Sequence, residues 1–519
     1  MILGWFLTFA AAQAQVVTST MSHMNNLQLQ SHLVHQKQLL PSGFLPVILP
    51  IDFIDSLSDA DTERWQRKDY KGFIMRKLKT EHLFQVRKND FTLNGDVVIN
   101  LEMARQLNSS GKRLYTNSRG YRFNGTIGSR FFFETSFYES QAVLPYYMDS
   151  VAVFRGNTNT ISDLTTGKGR GSIPGYGRWK PFNTSSNYSF DYTLVTGTVG
   201  VRINKNSFVQ FGSDKQFVGY GYRSLLLSDV SAPYPFLRLH LAFFENKLTY
   251  TTTYAMLQSL ERLPDGISGN EDLFARQGAR FSYFHLQPKH WFGIGLFDAT
   301  TWTFFKNSTP RNALYFSPHA FAYNQKGIVN HLMGLNAHVN PLPFLMAYTQ
   351  VATNTRNATN LGYQFGLKIL DPIPGLNVTL EYNHVAAGMY ESNNSADSLY
   401  ASQEPFQNPV TLNYYQHNDQ MLGHPLGVES NETLLRVQYR LRDFMISGAY
   451  NHVLKTKSLT AIDSDYFQFE AAYIFNTRSN TQLVVGNINR TEHKSVNTIH
   501  DTYTYIAFRT QLTNRYFDF

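Results

Sequence analysis

From Phe91 onward, apolar and polar residues alternate one for one over long stretches, the spacing at which successive side chains fall on opposite faces of a β-strand. Leu93, Val97, Ile99 and Leu101 share one face, with Asn94, Asp96, Asn100 and Glu102 on the other. Leu376, Val378, Leu380 and Tyr382 alternate with Asn377, Thr379, Glu381 and Asn383. Leu435, Val437, Tyr439 and Leu441 oppose Arg436, Gln438, Arg440 and Arg442, and Phe467, Phe469, Ala471, Tyr473 and Phe475 oppose Gln468 and Glu470. One face is apolar and the other carries full charges. A soluble sandwich satisfies that pattern equally well, so strand number and loop length have to decide between the two folds.

About 18 strands are predicted, starting near residues 91, 116, 129, 190, 207, 235, 247, 278, 290, 331, 344, 361, 376, 433, 444, 465, 481 and 502. Many approach the roughly 9 to 11 residues that cross a bilayer on a tilt. Their connections alternate in length. Short ones fall at 204–206, 245–246, 288–289, 340–343, 371–375 and 443, and long ones at 144–189, 218–234, 259–277, 305–330 and 389–432. All long connections therefore fall at one end, which is the asymmetry of an outer-membrane barrel; a sandwich has no reason to sort its loops this way. Closure has a physical cause, because backbone amides in hydrocarbon have no water to bond and a sheet survives there only without edges. The expected fold is all-β: a transmembrane antiparallel barrel over 91–519, preceded by a short helical periplasmic or plug segment over 15–90.

Composition supports this reading. Charged residues make up 16% of the chain against about a quarter in an average soluble domain, and 40 Phe, 31 Tyr and 5 Trp suit the aromatic girdles of a barrel. No stretch approaches the roughly 20 apolar residues of a membrane helix. With zero Cys, disulfides, thiolate metal sites and cysteine nucleophiles are excluded. At the start, the apolar run Ile2 to Ala11 and the small-x-small pattern Ala12-Gln13-Ala14 read as a signal peptide over 1–14, although no Lys or Arg precedes the run. Short helices are expected over 61–66 and 76–87. At the other end, Arg515-Tyr516-Phe517-Asp518-Phe519 reads as the end of the last strand, with an aromatic of the kind barrel assembly favours. The parity change from Ile506 and Phe508 to Phe517 and Phe519 requires a break near Thr513.

No catalytic or cofactor motif is present: HExxH, GxSxG and a phosphate loop are all missing. His331, His338, His417 and His424 match no metal-ligand spacing, and Ser228, Asp229 and His240 are common residue types in barrel loops rather than a recognisable triad. The expectation is a non-enzyme without metal or cofactor. Asp96, Arg238, Glu381, Arg436, Arg440 and Glu470 fall on the polar, lumenal face. Their mixed signs favour a cross-linked or plugged interior, because opposed charges in a confined lumen pair. The net charge of +8 forms no clustered basic stripe for nucleic acid, but it suits acidic polysaccharide or lipopolysaccharide phosphates.

The most distinctive stretch runs from Phe208 through Asp214-Lys215, Gly219-Tyr220-Gly221-Tyr222-Arg223-Ser224, Ser228-Asp229 and Pro233-Tyr234-Pro235 to Arg238. Further pieces follow in order: Arg170 to Phe182, Gly362 to Lys368, Leu380 to His384 and His417 to Gly427. In these residues the chain resembles the Wzi-like outer-membrane proteins, and more closely the Bacteroidota branch that includes the gliding-motility protein RemB. It departs from the Wzi pattern at Gln216-Phe217-Val218, where tryptophans are usual. The resemblance implies a non-enzymatic barrel of 18 strands in the bacterial outer membrane, partly closed by periplasmic helices, whose outer loops hold surface polysaccharide in capsule assembly or serve adhesion and gliding. A diffusion or substrate-specific porin and an accessory subunit of the type 9 secretion and gliding apparatus are the alternatives. Outer-membrane lipid and lipopolysaccharide, surface polysaccharide and secretion or gliding proteins are the partners this implies. From the residues themselves, Asp214, Lys215, Tyr220, Tyr222, Arg223 and Asp229 flank an extracellular hairpin. There they either bind sugar, the aromatics stacking on rings and the charges meeting hydroxyls or carboxylates, or fasten the loop inside the barrel.

Overall fold

The computed structural model describes residues 15–65, 70–107, 113–154, 172–181, 189–262, 274–303, 328–354, 357–390, 415–456, 462–493, 498–510 and 514–518. The expected signal peptide and parts of the Arg170 to Phe182 stretch lie outside these.

Eighteen antiparallel strands close into a barrel. They are β1 (Phe91–Gln106), β2 (Arg113–Ile127), β3 (Phe131–Val143), β4 (Phe190–Arg202), β5 (Phe208–Asp214) and β6 (Tyr234–Phe243). Next come β7 (Leu248–Arg262), β8 (Phe274–Lys289), β9 (Phe292–Thr303), β10 (Ile328–Leu342), β11 (Leu345–Asn354) and β12 (Asn357–Leu370). The wall is completed by β13 (Leu376–Val385), β14 (Ser430–Leu441), β15 (Phe444–Lys455), β16 (Ile462–Asn476), β17 (Thr481–His493) and β18 (Thr498–Thr510). Each strand pairs with its sequence neighbour, and β18 returns to β1 through a register from Tyr503 opposite Gln106 to Arg509 opposite Asn100. Below that register β18 has ended, and the short strand Phe84–Lys88 takes its place beside β1. An open edge of β1 is thereby covered, which is why the expected helix over 76–87 stops at Lys79 and the chain becomes extended.

The alternation places side chains as expected. Val97 and Leu101 on β1, Val195 and Val199 on β4, Leu435 on β14 and Phe467 on β16 are exposed on the outside, with Val195 retaining 56% of its accessible area. A continuous apolar exterior of this kind is solvated by hydrocarbon rather than water. Arg436 and Arg440 point inward, whereas Arg442 leaves the strand for a tight turn at positive φ. The turns 128–130, 203–207, 244–247, 290–291, 343–344, 371–375, 442–443 and 477–480 lie at one end, called here the short-turn end. The strand ends that border residues 144–189, 215–233, 304–327 and 386–429 lie at the other.

The segment before the barrel forms three helices: α1 (His23–His35), α2 (Ile51–Arg64) and α3 (Phe73–Lys79). Helix α2 starts ten residues earlier than the sequence predicts. Pro50 precedes it, Asp52 lies in its first turn and Arg64 in its last, so its end charges suit the helix dipole. Its position at the short-turn end is fixed by ion pairs to the wall, Arg440–Asp61 at 2.8 Å, Arg478–Asp55 at 2.8 Å and Arg64–Asp371. Helix α1 enters the lumen, where Leu29, Leu33 and Val34 pack on Met346, Tyr348 and Leu370.

Candidate functional site: a lumen filled by the chain itself

The connection between β5 and β6 does not project as an exposed hairpin. It folds into the barrel, and Lys215, Tyr220, Tyr222, Arg223 and Asp229 are all buried. Of the two roles the sequence leaves open for these residues, their burial agrees with fastening the loop inside the barrel; the sequence alone leaves both because a loop that leaves the barrel and one that re-enters it both require polar and aromatic residues. Confinement leaves the loop backbone without water, so wall side chains supply its hydrogen bonds. Gln350 on β11 donates to the Val218 carbonyl and accepts from the Leu225 N–H. Glu381 on β13 accepts from the N–H groups of Tyr222 and Arg223, and Gln364 on β12 donates to the Arg223 carbonyl. From the β13–β14 connection, Tyr390 and Tyr415 donate to the carbonyls of Leu225 and Leu226. The loop backbone nests closely against this wall: a Cβ on Gly219, which has φ of +143°, would lie 2.3 Å from Gln350.

Arg223 is the centre of the assembly. It is fully buried and pairs with Glu432 on β14 at 2.7 Å and with Asp518 at 3.2 Å. Glu432 also bonds His424 at 2.9 Å. Asp518 pairs with Arg436, accepts from the Tyr222 hydroxyl at 2.8 Å, and its backbone carbonyl accepts from Asn451 at 2.6 Å. The Arg436 guanidinium lies 3.6 Å over the Tyr222 ring. Burial would raise the Asp518 carboxyl, but Arg223 and Arg436 outweigh it and hold the group below its ordinary range. Asp229 bonds Tyr516 and accepts from Asn514 at 2.8 Å; burial pushes this carboxyl up and pushes the Lys215 ammonium down.

Residues 514–518 are therefore not the end of the last strand. Strand β18 stops at Thr510, and Tyr516 and Asp518 lie buried in the lumen. Two guanidinium groups there offer the Asp518 carboxylate more than a sheet edge could.

All six residues assigned to the lumenal face lie inside, with partners that explain them. Asp96 accepts from the Leu83 N–H and bonds His82 at 2.6 Å, anchoring the chain after α3. Arg238 donates to the Pro46 carbonyl and covers the Phe44 ring at 4.8 Å. Glu381 holds the loop, Arg436 holds Asp518 and Arg440 holds α2, as described above. Glu470 pairs with Arg509 at 2.9 Å. Of the residues at the expected sugar site, Tyr220 bonds His285 at 2.9 Å, and Asp214 accepts from the neighbouring Lys215 N–H. Glu432, Asp518 and Gln350 were not singled out as functional residues from sequence, and His424 was weighed there only as a metal ligand. Inward parity on β14 and β11 could have found Glu432 and Gln350; nothing local marks Asp518.

Ser228, Asp229 and His240 do not converge, since Asp229 faces Tyr516 while His240 bonds Thr251 on β7. Among the described residues, no cluster of His, Asp and Glu could hold a metal. Cavities remain among the described residues. One of 280 Å³ lies beside His23, Tyr222, Arg436, Asp518 and Arg515; a second of 660 Å³ separates α1 and α2 from the short-turn end of the wall.

Among solved structures, the chain is similar to Wzi of Escherichia coli, a carbohydrate-binding β-barrel of the outer membrane involved in group 1 capsule assembly. The match has a TM-score of 0.54 at 12% identity and covers 95% of this chain and 99% of Wzi. The two share a barrel fold. Pseudomonas aeruginosa OccK5 (OpdH) also matches, at a TM-score of 0.41 and 9% identity over 80% of this chain and 97% of that one. Acinetobacter baumannii OccAB2 gives 0.42 and 9% over 80% and 97%. No family model matches the chain, and no curated protein does.

Proposed function

We propose that this chain is a non-enzymatic outer-membrane barrel that binds surface polysaccharide in capsule assembly, with its lumen kept closed by its own segments. The observation that carries this reading is the Arg223 assembly. It ties the β5–β6 connection, the wall and residues 514–518 together through buried charge-assisted bonds, an arrangement suited to a permanent plug and poorly suited to a diffusion path. The apolar exterior supports the membrane location, and the Wzi fold with that protein's carbohydrate binding supports the ligand class. In this reading the short turns face the periplasm and the long connections face outward. Asp214, Lys215, Tyr220, Tyr222, Arg223 and Asp229 serve as fasteners, sugar contacts fall to the long connections, and the +8 charge favours acidic glycans.

Two measurements on the purified full chain test the proposal. In planar bilayers the protein is expected to be electrically silent; large, steady currents would make it a porin. Immobilised acidic polysaccharide is expected to retain it in preference to a neutral glucan, and passage through both without retention would remove the polysaccharide role.

A further inference from the structure

The short-turn end carries an apolar rim. Phe131, Ile203, Phe244, Trp291, Phe344, Ile373 and Phe444 each sit at or beside a short turn and are exposed, forming the girdle that meets lipid headgroups in a membrane barrel. One turn breaks this rule: 477–480, between β16 and β17, reads Thr477-Arg478-Ser479-Asn480, and its neighbours Asn476 and Thr481 are polar too. Helix α3 lies there. It packs on β16, and its Phe73, Ile74 and Leu78 are 67%, 70% and 55% exposed.

The helix is not loosely attached. Asn476 donates to the carbonyls of Lys77 at 3.0 Å and Glu81 at 2.8 Å, tying down its last turn. Lys79 donates to the Tyr473 hydroxyl at 3.1 Å, and its ammonium lies 4.9 Å over the Tyr473 ring and 5.0 Å over that of Phe475. Tyr473 and Phe475 belong to the outward row of β16 that continues from Phe467 and Phe469. The helix therefore docks on the lipid-facing side of the wall and turns further apolar side chains away from it. Arg76, Lys77 and Lys79 add cations, of which Glu81 engages two, Arg76 at 3.1 Å and Lys77 at 2.9 Å. The cluster keeps a positive excess.

We propose that α3 is an interfacial anchor: Phe73, Ile74 and Leu78 insert among lipid headgroups at the short-turn rim, and the cations beside them meet anionic lipid phosphates. It completes the girdle at the one of these turns that has no apolar residue in it or directly beside it. A short amphipathic element binds an interface through buried apolar area plus attraction to anionic lipid, and α3 presents both with its backbone already fixed. This inference rests on the membrane reading above and goes beyond it, because a spanning barrel does not need such a helix.

The absence of cysteine makes the test direct. Ile74→Cys, Val195→Cys on the exterior belt and Glu63→Cys on exposed α2 are each introduced into the full chain. Each variant carries a nitroxide label and is reconstituted in vesicles containing phosphatidylglycerol. Collision rates with oxygen, which concentrates in lipid, are compared with those of a water-soluble nickel chelate. The ratio at Ile74 is expected to exceed that at Glu63 several-fold and to approach that at Val195. If Val195 is lipid-exposed while Ile74 behaves like Glu63, the anchor is refuted and the membrane barrel stands; if Val195 itself is aqueous, both fall. Replacing phosphatidylglycerol with zwitterionic lipid is expected to raise the nickel accessibility of Ile74, and an unchanged value would overturn the electrostatic part of the proposal.

Discussion

Replacing Arg223 with methionine tests what keeps the lumen closed. The substitution preserves an unbranched chain but removes the bonds to Glu432 at 2.7 Å and to Asp518 at 3.2 Å. Deleting one partner of a buried ion pair costs about 3 to 5 kcal/mol, chiefly through the charge left behind. The lower end applies here: Glu432 keeps His424, and Asp518 keeps Arg436 and Tyr222. A loss of about 3 kcal/mol shifts the ratio of released to seated loop by roughly 100-fold, at about 1.4 kcal/mol per decade. In planar bilayers Arg223→Met is therefore expected to spend about 100-fold more time conducting than the native protein. The double variant Arg223→Met with Glu432→Leu, which leaves no stranded carboxylate at that position, is expected to recover much of the seal. If Arg223→Met is as silent and as resistant to unfolding as the native chain, or if the double variant leaks more than the single one, charge pairing is not what seats the loop.

Two further outcomes follow from the wall and its buried histidines. Val195→Arg places a charge on the exposed row of β4 and is expected to cost about 2 to 4 kcal/mol if that row lies near the bilayer midplane; reversible denaturant titration in lipid vesicles measures it, and a negligible cost would contradict a lipid-facing belt. His417 is held neutral, its Nδ1 accepting the Gln258 N–H at 3.0 Å and its Nε2 donating to the Pro233 carbonyl at 3.1 Å. Burial lowers its pKa to about 4. The unfolded chain binds the proton more tightly, so this contribution is complete above the ordinary value near 6.5 and is lost as pH falls from there toward 4, by about 3 kcal/mol in all. Denaturation at a series of pH values is expected to show that slope, and His417→Gln to reduce it; an unchanged slope in the variant would refute the assignment.

Much of the barrel can be read directly from the chain. A strand's side chains alternate by covalent geometry, so the parity of Leu435 and Arg436 already decides which faces lipid and which faces the lumen, and the lengths between alternating runs sort the loops by end. That information is local: it yields the strand number and the approximate strand starts, and the same parity assigns Asp96, Arg238, Glu381, Arg436, Arg440 and Glu470 to the inward face. The direction taken by the β5–β6 connection and by residues 514–518 is not local. A polar, aromatic loop can project into water or pack into a lumen; the choice depends on partners such as Asp518, which lies 295 residues from Arg223. Only the closed barrel brings those charges within 3.2 Å of each other, and burial there makes pairing obligatory, since an ion removed from water without its counterion costs several kcal/mol.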